Sequence, residues 1–310
     1  MNRVQKKYHG VIVPMITPFT KELTIDLLSV ERILDSFLKA NVSPFLAGTT
    51  GESVSILDTQ KSLLIKTAIN FVDHKTMVYA GISGNCLYES IETAKKYAGM
   101  GVDAVVAHLP FYYPVSSDQM IRYFEEIADN IPCHLILYNI PITTKQSIPI
   151  EVIEKLSYHP NIAGIKDSER GMERLDKSLE LWRNRNDFTH LMGAAVQSAY
   201  ALLNGSDGII PSTGNLVPKM YSEMFEAALR KDVGKVDELQ DRTNEISEIY
   251  QKDKNLSQSI PALKTMMSVY GLCEPYVMPP MYTLEMSEQK RIAEETLKIV
   301  GRNEQSMANI

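Results

Sequence analysis

Short apolar runs alternate with stretches of helical period along much of the chain. Between the runs, apolar residues recur every three or four positions, as at Val30, Ile33 and Leu34, which is the spacing of an amphipathic helix. Glycines such as Gly101 and Gly205 precede two runs and predict helix ends there. The eight runs with the length of a buried strand are residues 11–16, 44–47, 77–80, 103–107, 134–138, 162–166, 189–192 and 208–210. Eight strands that alternate with helices predict an α/β protein with a closed (β/α)8 (TIM) barrel.

Helical patterning alone continues after the eighth run. Apolar faces recur there, first through Val233 and Val236 and later through Ile292, and no Pro-, Gly- or Ser-rich linker precedes them. We therefore expect residues 1–229 to form a catalytic barrel domain and residues 230–310 to form a C-terminal helical region packed on the barrel.

The composition is that of an ordinary globular protein. The 310 residues are 44% hydrophobic and 23% charged, with a net charge of -6 and a pI near 5.6. This balance argues against nucleic acid or an anionic membrane as a partner, since both bind basic patches. No apolar segment approaches the ~18–20 residues needed to cross a bilayer. The cysteines Cys86, Cys133 and Cys273 are widely spaced, so we expect no disulfide framework and a cytoplasmic location.

Lys166 ends the sixth run and is followed by Asp167. An amine at the mouth of an apolar strand loses hydration in its charged form, so its pKa falls and the neutral, nucleophilic form is populated. Schiff-base chemistry requires that form. The alternative is a structural lysine paired with Asp167 or Glu52, which is the more common situation for a lysine at a strand end.

Two further features accompany Lys166. Tyr138 ends the preceding run, where a tyrosine can transfer protons during imine formation or aldol cleavage, or can simply close the strand. Residues 48–53, Gly-Thr-Thr-Gly-Glu-Ser, form either a turn that binds a carboxylate or a tight strand-to-helix turn capped by threonine. Because the carboxyl ends of barrel strands build the active site, we expect these features to meet there with the aromatic run 110–114.

Five ordered motifs resemble the family of dihydrodipicolinate synthase and N-acetylneuraminate lyase, the class I pyruvate-dependent aldolases. They are Ile-Thr-Pro-Phe at 16–19, Gly-Thr-Thr-Gly-Glu-Ser at 48–53, Pro-Phe-Tyr-Tyr-Pro at 110–114, Leu-Tyr-Asn-Ile-Pro at 137–141 and Gly-Ile-Lys-Asp-Ser at 164–168. The resemblance implies a homotetramer of two tight dimers, with no metal and no organic cofactor. It also implies that Lys166 forms an imine with pyruvate or a similar 2-oxo acid, and that Tyr138 shuttles protons. Thr49 would relay protons with Tyr112, which in this family usually reaches across a dimer interface.

The resemblance also implies substrate-binding residues. Thr50, with the backbone of the turn that begins at Gly48, would hold the carboxylate, and Gly193 and Ile210 would line the pocket. Thr143 stands where dihydrodipicolinate synthases generally carry an arginine that grips the carboxylate of the aldehyde partner.

We therefore expect a Schiff-base lyase that cleaves or condenses a 2-oxo acid with an aldehyde. Sialic acid lyases carry acidic groups after strand seven, whereas residues 193–196 here are Gly-Ala-Ala-Val, so a polyhydroxylated tail would find few partners. The alternatives are dihydrodipicolinate synthase, a 2-keto-3-deoxy sugar acid dehydratase that uses the same imine, and a non-catalytic 2-oxo acid-binding protein. A metal-dependent aldolase is disfavoured because the six histidines show no ligand spacing.

Overall fold

A closed barrel of eight parallel strands forms the centre of the computed structural model, which describes residues 6–301. The strands are Gly10–Pro14 (β1), Ser43–Leu46 (β2), Tyr79–Gly81 (β3), Ala104–His108 (β4), His134–Asn139 (β5), Ile162–Asp167 (β6), Thr189–Met192 (β7) and Gly208–Ile209 (β8). Neighbouring strands pair in sequence order, and β8 closes on β1 with Gly10 opposite Gly208. The predicted TIM barrel is confirmed.

Helices connect successive strands. They are Leu27–Lys39 (α1), Asp58–Val72 (α2), Leu87–Met100 (α3), Ser117–Asp129 (α4), Pro141–Thr144 (α5), Ile150–Leu156 (α6), Met172–Trp182 (α7), Ser198–Asn204 (α8) and Pro218–Leu229 (α9). The first helix begins at Asp26, whose side chain accepts a hydrogen bond from the backbone amide of Ser29 at 3.2 Å. The glycines Gly101 and Gly205 end α3 and α8 in the left-handed conformation, with φ of 103° and 114°. These helix ends are the ones that the glycine positions predict.

The amino-terminal end of the barrel is filled with aromatic and aliphatic side chains. Tyr8, Ile12, Phe45 and Tyr79 belong to one buried cluster inside the barrel. The hydroxyl of Tyr8 donates to the carbonyl of Asp103, just before β4, at 3.2 Å. This packing fills the interior of the barrel with side chains, and in such barrels the active site lies at the carboxyl ends of the strands.

Three helices follow the barrel: Val233–Gln251 (α10), Leu256–Val269 (α11) and Met286–Ile299 (α12). The helix α10 packs on α8 and α9, and its apolar residues join those of the barrel helices in one continuous core. The predicted boundary at residue 230 falls between α9 and α10. Within residues 6–301, no helix is long and apolar enough to span a bilayer.

Candidate active site

Lys166 lies at the carboxyl end of β6 with 3% of its surface exposed. Its Nζ atom is 3.8 Å from the centre of the Tyr138 ring and 4.7 Å from the centre of the Phe45 ring. Burial lowers the pKa of Lys166, while the charge and hydrogen bonding of Tyr138 oppose this shift without reversing it. The amine is therefore shifted toward the neutral form that attacks a carbonyl carbon.

The two carboxylates that the sequence offers as partners of Lys166 are bound elsewhere. Asp167 accepts from the Nε atom of Arg174 at 2.7 Å, and Glu52 pairs with Lys264. In the part of the chain that the structure describes, Lys166 makes no ion pair. Its position at the strand end is therefore not explained by charge pairing, which favours the chemical interpretation over the structural one.

A cavity of about 560 Å³ opens above Lys166 at the carboxyl ends of the strands. The predicted site residues that line it are Thr49, Thr50, Tyr138, Lys166, Gly193 and Ile210. The structure thus brings together side chains from β5 and β6 with residues that follow β2, β7 and β8. A cavity of this size lies in the ordinary range for a small-molecule site, about 300–1,000 Å³, and leaves room for a second reactant beside a three-carbon acid.

Gly48 and Thr143 are not among the residues that line the cavity. At Gly48, a Cβ atom would lie 2.9 Å from the ring of Phe45, so close packing under the turn requires glycine. The Thr143 hydroxyl donates to the carbonyl of Ile140 at 3.2 Å, and the neighbouring Ile142 lines the cavity instead. Neither residue contacts a ligand-sized space directly in this chain.

Tyr112 lies on the surface, 73% exposed, with its ring against that of Tyr113 at 4.9 Å between centres. It does not line the cavity of its own chain. A proton relay that joins Tyr112 to Thr49 therefore needs the tyrosine to come from a second chain.

Gly193 packs directly against the end of β6. Its amide donates to the carbonyl of Asp167 at 2.6 Å, and a Cβ atom there would lie 2.1 Å from the Oγ atom of Ser168. Ser168 also lines the cavity. The absence of a side chain at Gly193 therefore keeps this wall of the cavity open.

A buried ion pair anchors the turn at residues 48–53 to the C-terminal helices. The side chains of Glu52 and Lys264 are both 0% exposed and in direct contact. Glu52 also accepts from the Met278 amide at 2.8 Å, and Lys264 donates to the Tyr276 carbonyl at 2.7 Å. Burial raises the pKa of Glu52 and lowers that of Lys264, and each partner opposes the shift of the other. Glu52 has a left-handed backbone, with φ of 59°, which its two contacts hold in place.

Several charged and polar lining residues escaped the sequence reasoning. Glu169 and Arg170 follow β6, and Tyr250, Gln251 and Lys254 come from the end of α10 and the segment after it. The Tyr250 hydroxyl lies 2.7 Å from the Oγ atom of Ser212. Only the strand-end rule could have pointed to Glu169 and Arg170, and no local pattern indicates that the end of α10 reaches the cavity. Among residues 6–301, no group of three or more His, Cys, Asp or Glu side chains is arranged to hold a metal ion.

Known proteins resemble this chain along most of its length. The model of the dihydrodipicolinate synthetase family matches residues 7–299. A 4-hydroxy-tetrahydrodipicolinate synthase from Pseudoalteromonas atlantica is 30% identical over 240 residues, which cover 77% of this chain and 81% of the relative. The putative 2-dehydro-3-deoxy-D-gluconate aldolase YagE from Escherichia coli K12 is 28% identical over 285 residues, which cover 90% of this chain and 92% of YagE.

Solved structures show the same fold. Dihydrodipicolinate synthase from Bacteroides thetaiotaomicron superimposes with a TM-score of 0.89 at 26% identity, covering 95% of this chain and 100% of that one. YagE in complex with pyruvate gives a TM-score of 0.88 at 27% identity, covering 94% of this chain and 99% of that one. The family model spans almost every described residue, so the chain belongs to the dihydrodipicolinate synthetase family, whose members are lyases of the aldolase type.

Proposed function

We propose that this protein is a Schiff-base-forming lyase that cleaves or condenses pyruvate, or a related 2-oxo acid, with an aldehyde. The observation that carries the proposal is the amine of Lys166, buried and without an ion pair in residues 6–301, against the ring of Tyr138 at the base of the cavity. Burial also lowers the pKa of Lys264, but that lysine is paired with Glu52, whereas the described residues provide Lys166 with no carboxylate and with an open cavity.

The neutral amine of Lys166 attacks the 2-oxo carbon, and the carbonyl oxygen leaves as water after it receives protons. Tyr138, beside the amine, is placed to deliver and recover those protons. Tyr138 then takes the proton of the C4 hydroxyl, the bond between C3 and C4 breaks, and its electron pair moves into the cationic imine to give a neutral enamine as the aldehyde is released. Protonation of the enamine at C3 and hydrolysis of the imine then free the 2-oxo acid and regenerate the lysine.

The remaining roles follow the cavity walls. Thr50 and the turn backbone that begins at Gly48 hold the carboxylate of the 2-oxo acid, and Gly193 and Ile210 shape the space around its carbons. Three of these, Thr50, Gly193 and Ile210, line the cavity, which supports this assignment. Thr143 does not line the cavity, and its role near the aldehyde partner, as a neutral residue that provides no charge, rests on the family resemblance alone.

The active unit is proposed to be a dimer within a homotetramer. Tyr112 is exposed and would complete the site of a neighbouring chain by relaying protons to Thr49. Aromatic rings that are exposed in a single chain are often buried at the centre of an interface between chains. We place the enzyme in the cytoplasm, because Cys86, Cys133 and Cys273 are all free thiols.

Dihydrodipicolinate synthase is the second candidate, favoured by the name of the Pseudoalteromonas relative. A synthase would need an arginine at position 143 to hold a second carboxylate, and this chain has the neutral Thr143 there. The neighbouring Ile142 lines the cavity. The dehydratase alternative would release water from the same imine without breaking a carbon–carbon bond, and the binding-protein alternative would bind a 2-oxo acid without turnover.

The test is a panel of 4-hydroxy-2-oxo acids of different tail structure, with pyruvate release followed by lactate dehydrogenase and NADH. We expect at least one acid to release pyruvate, Lys166→Ala to abolish the release, and Lys145→Ala, at an exposed lysine, to leave it unchanged. Release that persists in Lys166→Ala would refute the mechanism. Formation of a new 2-oxo acid without release of pyruvate would establish the dehydratase instead, and imine formation without any product would favour the binding protein.

A further inference from the structure

The cavity wall beyond Lys166 carries one carboxylate within the described chain, and that carboxylate is already engaged. The Oε2 atom of Glu169 accepts hydrogen bonds from Asn139 at 2.8 Å and from Ser147, and the Nε atom of Arg174 lies 3.5 Å away. Glu169 is therefore held by neighbours on its own side of the barrel. It contributes one negative charge to this wall.

Two cationic side chains line the same cavity, and carboxylates of the described residues do not fully neutralise them. The side chain of Arg170 is exposed and has no ion pair in residues 6–301. Lys254 is mostly buried, with 16% of its side chain exposed, and its nearest carboxylate is Glu288 at 3.6 Å. Glu288 is shared with Arg291, whose NH2 group lies at 2.8 Å. Lys254 is therefore only weakly neutralised, and the net charge of the outer cavity is positive.

The outer wall includes polar residues such as Tyr250, Gln251, Asn255 and Ser259, and beside them it has an apolar part. Ile142 and Val196 line the cavity and are 65% and 42% exposed, and Leu256 and Ile260 line it as well. Exposed aliphatic side chains at a cavity mouth favour contact with carbon rather than with a row of hydroxyls. The wall therefore suits a reactant with a short carbon body and a charged end.

We propose that Arg170 and Lys254 bind an anionic group, a carboxylate or a phosphate, at the far end of the aldehyde half of the substrate, whose carbon body lies against Ile142 and Val196. The inference rests on the proposed lyase function and names the class of its second reactant. An arginine matches the planar array of oxygens in either anion, and a lysine adds a point charge. A zwitterionic aldehyde such as aspartate semialdehyde fits less well, because its ammonium group would meet the same two cations.

The experiment compares matched aldehydes in condensation with pyruvate. Glyceraldehyde 3-phosphate is paired with glyceraldehyde, and 4-oxobutanoate with butanal, and kcat/KM is measured for each. We expect one anionic aldehyde to be preferred over its neutral counterpart by about 10- to 100-fold, the range for a charge-assisted hydrogen bond. The pair that shows the preference identifies phosphate or carboxylate. Equal values within both pairs overturn the proposal.

Variants assign the effect to the two cations. Arg170→Gln and Lys254→Met should each raise KM for the preferred anionic aldehyde about tenfold and should lower kcat/KM for the anionic aldehyde much more than for the neutral one. Lys252→Met, at an exposed lysine nearby, is the matched control and should change neither. Glu288→Gln removes the negative charge beside Lys254, so KM for the anionic aldehyde should stay the same or fall. A rise in that KM, or equal losses for anionic and neutral aldehydes in the cation variants, contradicts the proposal.

Borohydride trapping distinguishes a failure of the proposed anion site from a failure of the proposed lyase function. Each variant is also treated with pyruvate and borohydride, which reports imine formation independently of the aldehyde. An adduct on Lys166 without any preference for anionic aldehydes refutes the anion site alone. The absence of an adduct in the unmodified protein refutes the lyase function and this inference together.

Discussion

The buried pair of Glu52 and Lys264 predicts a large loss of stability when the cation alone is removed. Both side chains are 0% exposed, so Lys264→Met leaves a carboxylate that is shielded from solvent, with the Met278 amide as its remaining donor. It also removes the donor to the Tyr276 carbonyl. Removing one member of a buried ion pair costs about 3–5 kcal/mol. At about 2 °C per kcal/mol for a large domain, the melting temperature should fall by roughly 6–10 °C.

The compensating variant tests the reasoning. In Glu52→Gln/Lys264→Met the neutral amide can still accept from Met278, so the double variant should regain part of the loss, with a coupling energy of about 1–3 kcal/mol. The destabilisation of Lys264→Met should also shrink as the pH falls toward the ordinary glutamate pKa of 4.5. Loss of the ammonium raises the pKa of Glu52 further above its ordinary 4.5, so its protonated folded form gains stability as the pH falls.

Thermal unfolding followed by circular dichroism measures these effects. The matched control is Lys177→Met, which breaks an exposed pair with Glu151 and should cost no more than about 1 kcal/mol. A fall of less than about 2 °C in Lys264→Met, or strictly additive losses in the double variant, would show that the ion pair does not hold the turn.

Four further outcomes are expected at the site. The rate of imine formation with pyruvate should rise with pH, with a midpoint below the ordinary lysine pKa of 10.5. The reason is that burial lowers the pKa of Lys166 and the neutral amine is the nucleophile. Trapping rates across a pH series measure the midpoint, and a midpoint at or above 10.5 contradicts the prediction. Tyr112→Phe should slow turnover by about a hundredfold while imine formation persists, and an unchanged rate would restrict Tyr112 to packing. The unmodified protein should condense aspartate semialdehyde poorly, and Thr143→Arg should improve this; efficient dihydrodipicolinate formation without the substitution, in a coupled reductase assay, would establish the synthase. Gly193→Ala should cost about 1–3 kcal/mol through overpacking, since the new Cβ atom meets Ser168 at 2.1 Å, and calorimetry showing no loss would indicate that Ser168 simply rotates away.

Local sequence patterns predict the barrel and the floor of its site well. Strand ends are marked by the change from apolar to polar residues, so Lys166 and Tyr138 could be placed at one edge of the sheet before their contacts were known. The same rule predicts that the turn with Thr49 and Thr50 lies at this edge. Each of these residues is positioned by the strand to which it is attached, which is a short-range relation.

Long-range packing decides the features that the sequence did not reveal. Glu52 is a plausible partner for Lys166 by position, but its partner in the structure is Lys264, more than two hundred residues away in the chain. Lys254 reaches the cavity because α10 packs on α8 and α9, which no periodicity specifies. Tyr112 differs from Glu52 and Lys254, because its expected role depends on a second chain and not on packing within its own chain.

The central claim is that Lys166 forms an imine with a 2-oxo acid. The most direct measurement is mass spectrometry of peptides after incubation with pyruvate and borohydride, with Lys166→Ala and the exposed-site variant Lys145→Ala treated in parallel. We expect one reduced adduct per chain on Lys166, no adduct in Lys166→Ala, and an unchanged adduct in Lys145→Ala. No adduct at all, or an adduct found on Lys145 or Lys264 instead, would contradict the claim.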